Sequence, residues 1–207
     1  MMNTEKKLKS IAIDDVMFLG LIVIVPMVAV LVISLILFNF LKSGNNVAEL
    51  IQTWIVMGIS FVIIPGFIVN KKYRFTVGDI GIVKIKLKEI LAGAFIIILM
   101  YGYLTGKTGA YSLLLLSLQT IAVAVCEEMW ARGILFYVIS KFTSNRIVMI
   151  LLSSVIFTFL IHINRGFYNN LIYRLPGAVL MCVVYDRSKK LHYSILVHFV
   201  YNMLTSV

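Results

Sequence analysis

The chain has 207 residues, of which 61% are hydrophobic, and its mean hydropathy is +0.99. Soluble domains are about 45–50% apolar, so this composition excludes an ordinary soluble domain of the same length. The net charge of +10 would suit nucleic-acid binding, but the basic residues lie in short segments between apolar runs and not on one amphipathic face. We therefore expect a membrane protein with lipid as a partner, and no binding of nucleic acid.

Apolar segments in chain order predict an all-α bundle of about seven transmembrane helices, since a span needs about 20 apolar residues. The first segment is much longer than the apolar region of a cleavable signal peptide, so we expect it to remain as an anchor. The seven predicted segments are 16–41, 51–70, 90–106, 111–140, 147–163, 171–185 and 193–204.

Basic residues predict the orientation, because cytoplasmic loops are enriched in Lys and Arg. With the N-terminus in the cytoplasm, only Lys42, Lys107 and Arg165 fall in outer loops, and the C-terminus lies outside. One inner loop contains the alternating stretch Val83–Lys88, which predicts a short strand, an extended segment in the headgroup layer, or simply a basic loop. The inner basic residues are Lys6, Lys7, Lys9, Lys71, Lys72, Arg74, Lys84, Lys86, Lys88, Lys141, Arg146, Arg187, Lys189 and Lys190.

Three ionisable residues stand inside the fourth apolar segment: Glu127, Glu128 and Arg132. A charged group near the bilayer centre costs about 2.5–3.5 kcal/mol on insertion scales. Glu128 and Arg132 are four residues apart and can pair on one helix face, whereas Glu127 is rotated by about 100° from Glu128. The pattern predicts one neutralised acid and one available acid; the alternative is an ion-paired cluster that only fixes helix packing.

Two histidines and an asparagine lie in later apolar segments. His162 is near the end of the fifth segment, and His198 and Asn202 are four residues apart in the seventh. The remaining histidine, His192, is expected to be a solvated loop residue. Peptide hydrolysis needs a carboxylate that takes a proton from water, imidazoles that hold this water or a metal, and an amide that donates to an oxyanion.

These residues resemble the three-motif signature of the CPBP family, which includes the type II CAAX prenyl endopeptidases and the bacteriocin-processing Abi proteins. The motifs are Glu127-Glu128-x-x-x-Arg132, a histidine that follows a phenylalanine-rich stretch, and His198-x-x-x-Asn202. The second motif departs from the family pattern, which has Phe four residues before the histidine. Here that position is Thr158, flanked by Phe157 and Phe159.

The resemblance implies an intramembrane endopeptidase that cleaves a small membrane-associated peptide or protein. Glu127 would activate water, Glu128 and Arg132 would orient the site, and Asn202 would stabilise the oxyanion. A divalent metal such as Zn²⁺, held by Glu127, His162 and His198, is an option that the family allows. It further implies a bacterial cell-membrane protein in bacteriocin or pheromone processing or self-immunity. We expect N-terminal transmembrane helices and a basic cytoplasmic loop over 1–110, and a CPBP-like catalytic helix bundle over 111–207.

Two other functions remain open from the residues alone. A non-catalytic membrane scaffold or sensor could bind a peptide in the same polar cavity, and Thr158 in place of the expected Phe is its only support in the sequence. A small transporter would also use intramembrane Glu, His and Arg, but no internal repeat of the kind found in many transporter folds is present.

Overall fold

The computed structural model describes residues 13–40 and 46–206, and these residues form seven helices and no strand. The predicted all-α membrane helix bundle is confirmed. The helices are α1 (Ile13–Phe40), α2 (Asn46–Tyr73), α3 (Leu87–Leu104), α4 (Ala110–Ser140), α5 (Arg146–Ile161), α6 (residues 167–188) and α7 (Leu191–Thr205). Lys6, Lys7, Lys9 and Lys42 lie outside the described residues.

Four helices, α1 to α4, are long and apolar enough to cross a membrane. Their outward faces carry large apolar side chains that are more than half exposed, such as Leu35 on α1, Phe67 on α2 and Leu99 on α3. Exposed apolar surface on this scale is stable only if another apolar phase covers it. Lipid supplies that phase, which agrees with the composition.

Helix α4 is the central element of the bundle. Its Trp130 is fully buried, donates from its indole Nε1 to the Ile22 carbonyl of α1 at 3.1 Å, and packs edge-on against Phe61 of α2. On another side, Ser153 of α5 donates its hydroxyl to the Ala131 carbonyl at 3.1 Å. Polar side chains thus tie α4 to its neighbours at fixed rotation, which also fixes the direction of Glu127 and Glu128.

Four helices contain a π-helical turn, in which each N–H bonds to the carbonyl five residues earlier. These turns cover Gly58–Ile63 in α2, Met129–Leu135 in α4, Phe157–Ile161 in α5 and Asn170–Arg174 in α6. A π-helical turn inserts one residue into the helix and is often found at functional sites. Two of the four, in α4 and α5, adjoin the residues that the sequence predicts for the site.

The basic loops gather at one end of the bundle, which we call the basic end. Lys72 of α2 pairs with Asp15 of α1 at 3.3 Å, and Lys190, just before α7, pairs with Glu89 of α3. Lys141, after α4, lies 4.0 Å from the centre of the Tyr137 ring. Lys141 also lies 5.9 Å from the centre of the Tyr73 ring of α2, and Lys189, after α6, lies 5.6 Å from the centre of the Phe136 ring of α4. The ends of α1, α2, α3, α4, α6 and α7 therefore meet in one polar layer.

The loop between α2 and α3 is held in this layer by its backbone. Thr76 donates from its backbone N–H and its hydroxyl to Asp79, and these hydrogen bonds lower the pKa of Asp79. Gly81 then accepts a hydrogen bond from the Leu191 N–H at 2.9 Å. The following stretch, Val83–Lys88, is exposed and has no strand partner among the described residues. The strand alternative for it is wrong, because residues 83–86 pair with no other strand in the described part of the chain, and Leu87 and Lys88 already belong to α3.

Gly81 should not tolerate a side chain. Its φ is +82°, and a Cβ there would lie 2.6 Å from the Tyr185 ring and 3.2 Å from the Leu191 backbone nitrogen. We expect Gly81→Ala to lower the free energy of unfolding by about 1–3 kcal/mol from the backbone strain, measured by denaturation in detergent. Gly78→Ala in the same loop is the control, because its Cβ would meet nothing closer than 3.7 Å; equal losses for both variants would contradict the prediction.

Candidate active site

A fully buried ion pair lies at the centre of the candidate site. Arg132 Nη1 donates to Glu128 Oε1 at 2.8 Å, and neither side chain has measurable exposure. The second guanidinium nitrogen, Nη2, donates to the Ala178 carbonyl of α6 at 2.9 Å, and the guanidinium carbon lies 4.6 Å from the centre of the Phe157 ring. Buried charges are costly unless paired and hydrogen-bonded. These contacts from α5 and α6 provide part of the compensation, while Arg132 Nε and Glu128 Oε2 have no hydrogen-bond partner among the described residues.

The same carboxylate orients His198. Glu128 Oε1 lies 2.8 Å from His198 Nδ1, and this bond crosses from α4 to α7. Because a carboxylate paired with arginine only accepts hydrogen bonds, the contact assigns the proton of the imidazole to Nδ1. His198 Nε2 is therefore left to face the opposite way, and it lies 3.7 Å from Glu127 Oε2.

Glu127 meets both predicted histidines. Its Oε2 atom lies 4.0 Å from His162 Nε2 as well as 3.7 Å from His198 Nε2. These separations are too long for direct hydrogen bonds, yet all three groups point to one small volume. The carboxylate is about one-twelfth exposed and His198 less, so the volume lies deep in the protein.

A cavity of about 1090 Å³ reaches these groups. Glu127, His162, His198 and Asn202 line its wall, whereas Glu128 and Arg132 lie behind it. One turn of α7 separates His198 from Asn202, which puts both on the same helix face. The structure thus brings together the predicted acid, both predicted imidazoles and the predicted amide, and sets the buried pair behind them. The apolar part of the wall comes from α1 and α2 and includes Met27, Val30, Leu31, Met57 and Phe61.

The π-helical turn of α5 explains why the second motif departs from the family pattern. In this geometry residues five apart stack on one face, so Phe157, and not Thr158, lies beside the histidine. The Phe157 ring packs edge-on against His162 at 5.1 Å and against His198 at 6.1 Å between ring centres. Thr158 is fully buried elsewhere, and its hydroxyl has no hydrogen-bond partner among the described residues.

Two residues of α6 belong to the site although the sequence pattern did not single them out. Helix α5 ends at Ile161, and the buried Asn170 donates from its amide to the His162 carbonyl at 2.8 Å, which holds the chain where the helix stops. Arg174 lines the cavity, and its Nε has no hydrogen-bond partner among the described residues. The only signal in the sequence was a charged residue within the sixth apolar segment.

The donor set has the right chemistry for a divalent metal but not the spacing. Ligands of a tetrahedral zinc ion lie about 3.3 Å apart, given bonds of about 2.0 Å. Here the carboxylate oxygen and the two imidazole nitrogens are separated by 3.7 and 4.0 Å, and the described residues contain no group of three or more His, Cys, Asp or Glu side chains arranged to hold a metal ion. The zinc site that the resemblance allows does not fit this arrangement of donors.

Removal of Arg132 should be much more damaging than removal of an exposed arginine. In Arg132→Met the carboxylate of Glu128 stays buried without its partner, which costs about 3–5 kcal/mol for a buried pair. We expect this loss in the free energy of unfolding, measured in detergent. Arg165→Met is the matched control, since Arg165 is exposed and no ion pair is found for it among the described residues. Comparable stability of the two variants would contradict the buried-pair assignment.

The π-helical register predicts opposite outcomes at two adjacent positions. Phe157→Ala removes a ring that packs against both histidines and should cost about 3–5 kcal/mol of unfolding free energy. Thr158→Val replaces a buried hydroxyl that has no partner among the described residues and should be neutral or stabilising. Thermal or denaturant unfolding of both variants checks this. A large loss for Thr158→Val with little change for Phe157→Ala would mean that Thr158 occupies the histidine-facing position.

A family model described as "Type II CAAX prenyl endopeptidase Rce1-like" matches residues 109–204, a little under half of the chain. Comparison with curated proteins and with solved structures found no match. The matched segment contains Glu127, Glu128, Arg132, both cavity histidines and Asn202. The part of the chain that carries the whole candidate site is therefore similar to the Rce1-like type II CAAX prenyl endopeptidases, a protease family.

Proposed function

We propose that this protein is an intramembrane endopeptidase that hydrolyses a peptide bond with a water molecule activated by Glu127. The observation that carries the proposal is that one carboxylate oxygen and two imidazole nitrogens converge on the wall of a large cavity. Glu127 Oε2 lies 3.7 Å from His198 Nε2 and 4.0 Å from His162 Nε2. A water molecule with hydrogen bonds of about 2.8 Å can join groups up to about 5.6 Å apart. The spacing therefore suits a shared water.

The hydrogen bonds of the site would orient this water for attack. Glu128 holds the proton of His198 on Nδ1, so His198 Nε2 is an acceptor in the neutral ring. The water would donate one hydrogen to Glu127 and the other to His198, and its lone pairs would then point into the cavity. Glu127 takes the proton as the oxygen attacks the peptide carbonyl, which is general base catalysis.

The remaining groups suit the later part of the reaction. The Asn202 amide, one turn from His198 and on the same wall, is a donor of the type that stabilises the oxyanion of a tetrahedral intermediate. The proton on Glu127 would pass to the leaving amine. The apolar side chains of α1 and α2 on the cavity wall suit a substrate with apolar residues, such as a membrane-associated peptide.

The biological role is proposed on family resemblance alone. The protein would be a bacterial cell-membrane protein with several spans, and it would process a bacteriocin or pheromone precursor or protect its producer. The compact chain agrees with this role. The competing scaffold or sensor hypothesis relied on Thr158, and the packing of Phe157 against His162 and His198 removes that support. A scaffold would retain its biological effect when Glu127 is changed, and a peptidase would not.

The sharpest test removes one reacting group at a time. In Glu127→Gln the side chain keeps its shape but can no longer take a proton, and in His198→Ala the water loses one acceptor. We expect each to lower kcat for cleavage of a membrane-associated peptide by about 10²–10⁴-fold, the usual contribution of a positioned acid–base group.

His192→Ala is the matched control for this test, because His192 lies at the basic end, 3.3 Å from Glu89 and outside the cavity. It should cleave at the rate of the unchanged protein. Equal rates for Glu127→Gln, His198→Ala and the unchanged protein would refute the proposed mechanism.

The wide spacing of the donors predicts how the enzyme responds to chelators. Because no metal is needed to join Glu127 to the histidines, dialysis against a strong chelator should leave the cleavage rate unchanged, with no zinc found by elemental analysis of the active protein. Loss of activity on chelation, restored by added Zn²⁺, would contradict this and would mean that the three donors close around an ion.

A further inference from the structure

The cavity opens at the end of the bundle opposite the basic end. Its exposed lining residues include Asn164 and Arg165, in the turn after α5, and Thr205 and Ser206 at the end of α7. Helix α5 runs from Arg146 at the basic end to Ile161 next to this opening, a distance of about 24 Å for 16 residues. We call this end the cavity end.

A packed layer closes the cavity towards the basic end. Below Glu128, the next turns of α4 place Arg132, Leu135 and Ile139 in the core, each without measurable exposure. Phe136 and Tyr185 pack edge-on beneath them, and no described residue of the loops at the basic end lines the cavity. Water and substrate therefore have access to Glu127 from the cavity end.

The two ends differ strongly in charge. Among the described residues, eleven Lys and Arg side chains lie in the loops and adjoining helix ends at the basic end, and only Lys107 and Arg165 lie in the loops at the cavity end. The excess of Lys and Arg in short loops marks the cytoplasmic side of membrane proteins. These loops share one end in the folded protein, because Lys72 contacts Asp15, Lys141 contacts Tyr73 and Lys190 contacts Glu89. The hydrogen bond from the Leu191 N–H to the Gly81 carbonyl joins the last of these contacts to the loop after α2.

We infer that the active site receives its substrate from the extracytoplasmic side of the membrane. That the molecule entering the cavity is a substrate rests on the proposed function. The side of the membrane from which it enters follows from the cavity and the loops alone. A peptide that reaches Glu127 by this route has already crossed or entered the membrane. The reaction that supplies the substrate is thus export or membrane insertion, and the substrate class is a translocated peptide or the outer segment of a membrane protein.

Cysteine labelling tests the side of access without any assay of activity. Ser206→Cys places a thiol at the cavity opening, and Lys84→Cys places one in an exposed loop at the basic end. The two native cysteines are buried, so the unchanged full-length protein serves as the blank. A membrane-impermeant maleimide is added to spheroplasts of a bacterial host, and the same labelling in detergent verifies that both introduced thiols react.

We expect Ser206→Cys to be labelled in intact spheroplasts and Lys84→Cys only after the membrane is permeabilised. Any other pattern overturns the inference: labelling of Lys84→Cys from outside, or failure of Ser206→Cys to react until permeabilisation. Elution of both variants as a single symmetric peak in size-exclusion chromatography in detergent would verify that each is folded.

A second experiment links the side of access to catalysis. The protein is reconstituted in liposomes, its orientation is read from the two labelled positions, and a peptide substrate is supplied either inside or outside. Cleavage only on the side that labels Ser206→Cys supports the inference, and cleavage only on the side that labels Lys84→Cys overturns it. Absence of cleavage on both sides would refute the proposed function, while the labelling result for the side of access would stand.

Discussion

The site depends on one constraint, the burial of a full ion pair in the membrane-embedded part of α4. Arg132 and Glu128 are both completely buried and meet at 2.8 Å, and such a pair is stable only if further polar contacts replace the lost water. The Ala178 carbonyl, the face of Phe157 and the imidazole of His198 provide those contacts. Because these groups come from α5, α6 and α7, their contacts with the ion pair on α4 bring four helices together. The contact with Glu128 also fixes His198 in one tautomer.

Glu127 gains its chemical role from this arrangement. Its neighbour Glu128 pairs with Arg132 and accepts the hydrogen bond from His198 Nδ1. Glu127 instead faces the cavity, with its oxygen near two imidazole nitrogens. Two adjacent carboxylates thus have different surroundings, and this division of roles follows from the rotation of about 100° per residue in a helix. Because that rotation is a property of every α-helix, the spacing of Glu127, Glu128 and Arg132 in the sequence is enough to predict the division.

Much of the fold could be predicted from the sequence, because span length and charge placement act locally. The seven helices and the Glu128–Arg132 pair follow from apolar segment lengths and four-residue spacing. The register of Phe157 could not be predicted, since no sequence rule indicates that α5 makes a π-helical turn before His162. Asn170 and Arg174 were missed for a related reason: they join the site only through tertiary contacts between the end of α5 and the start of α6.

The N-terminal helices contribute to the site although the family match covers only residues 109–204. Helix α1 accepts the indole hydrogen bond of Trp130 and so helps to hold α4 in place. Together α1 and α2 also supply the apolar wall of the cavity, through Met27, Val30 and Phe61 among others. Under the proposed function, these apolar side chains would influence which peptides fit the cavity, while the reacting groups come from α4, α5 and α7.

The measurement that tests the central claim most directly is a single turnover of peptide cleavage in H₂¹⁸O, with enzyme in excess over substrate. If the attacking group is a water held between Glu127 and the histidines, every new carboxylate in the first turnover carries one ¹⁸O atom, as read by mass spectrometry. New carboxylates that carry only ¹⁶O would mean that the Glu127 side chain itself attacks the peptide and gives up its own oxygen. That result would contradict the activation of a shared water by the buried acid and imidazoles.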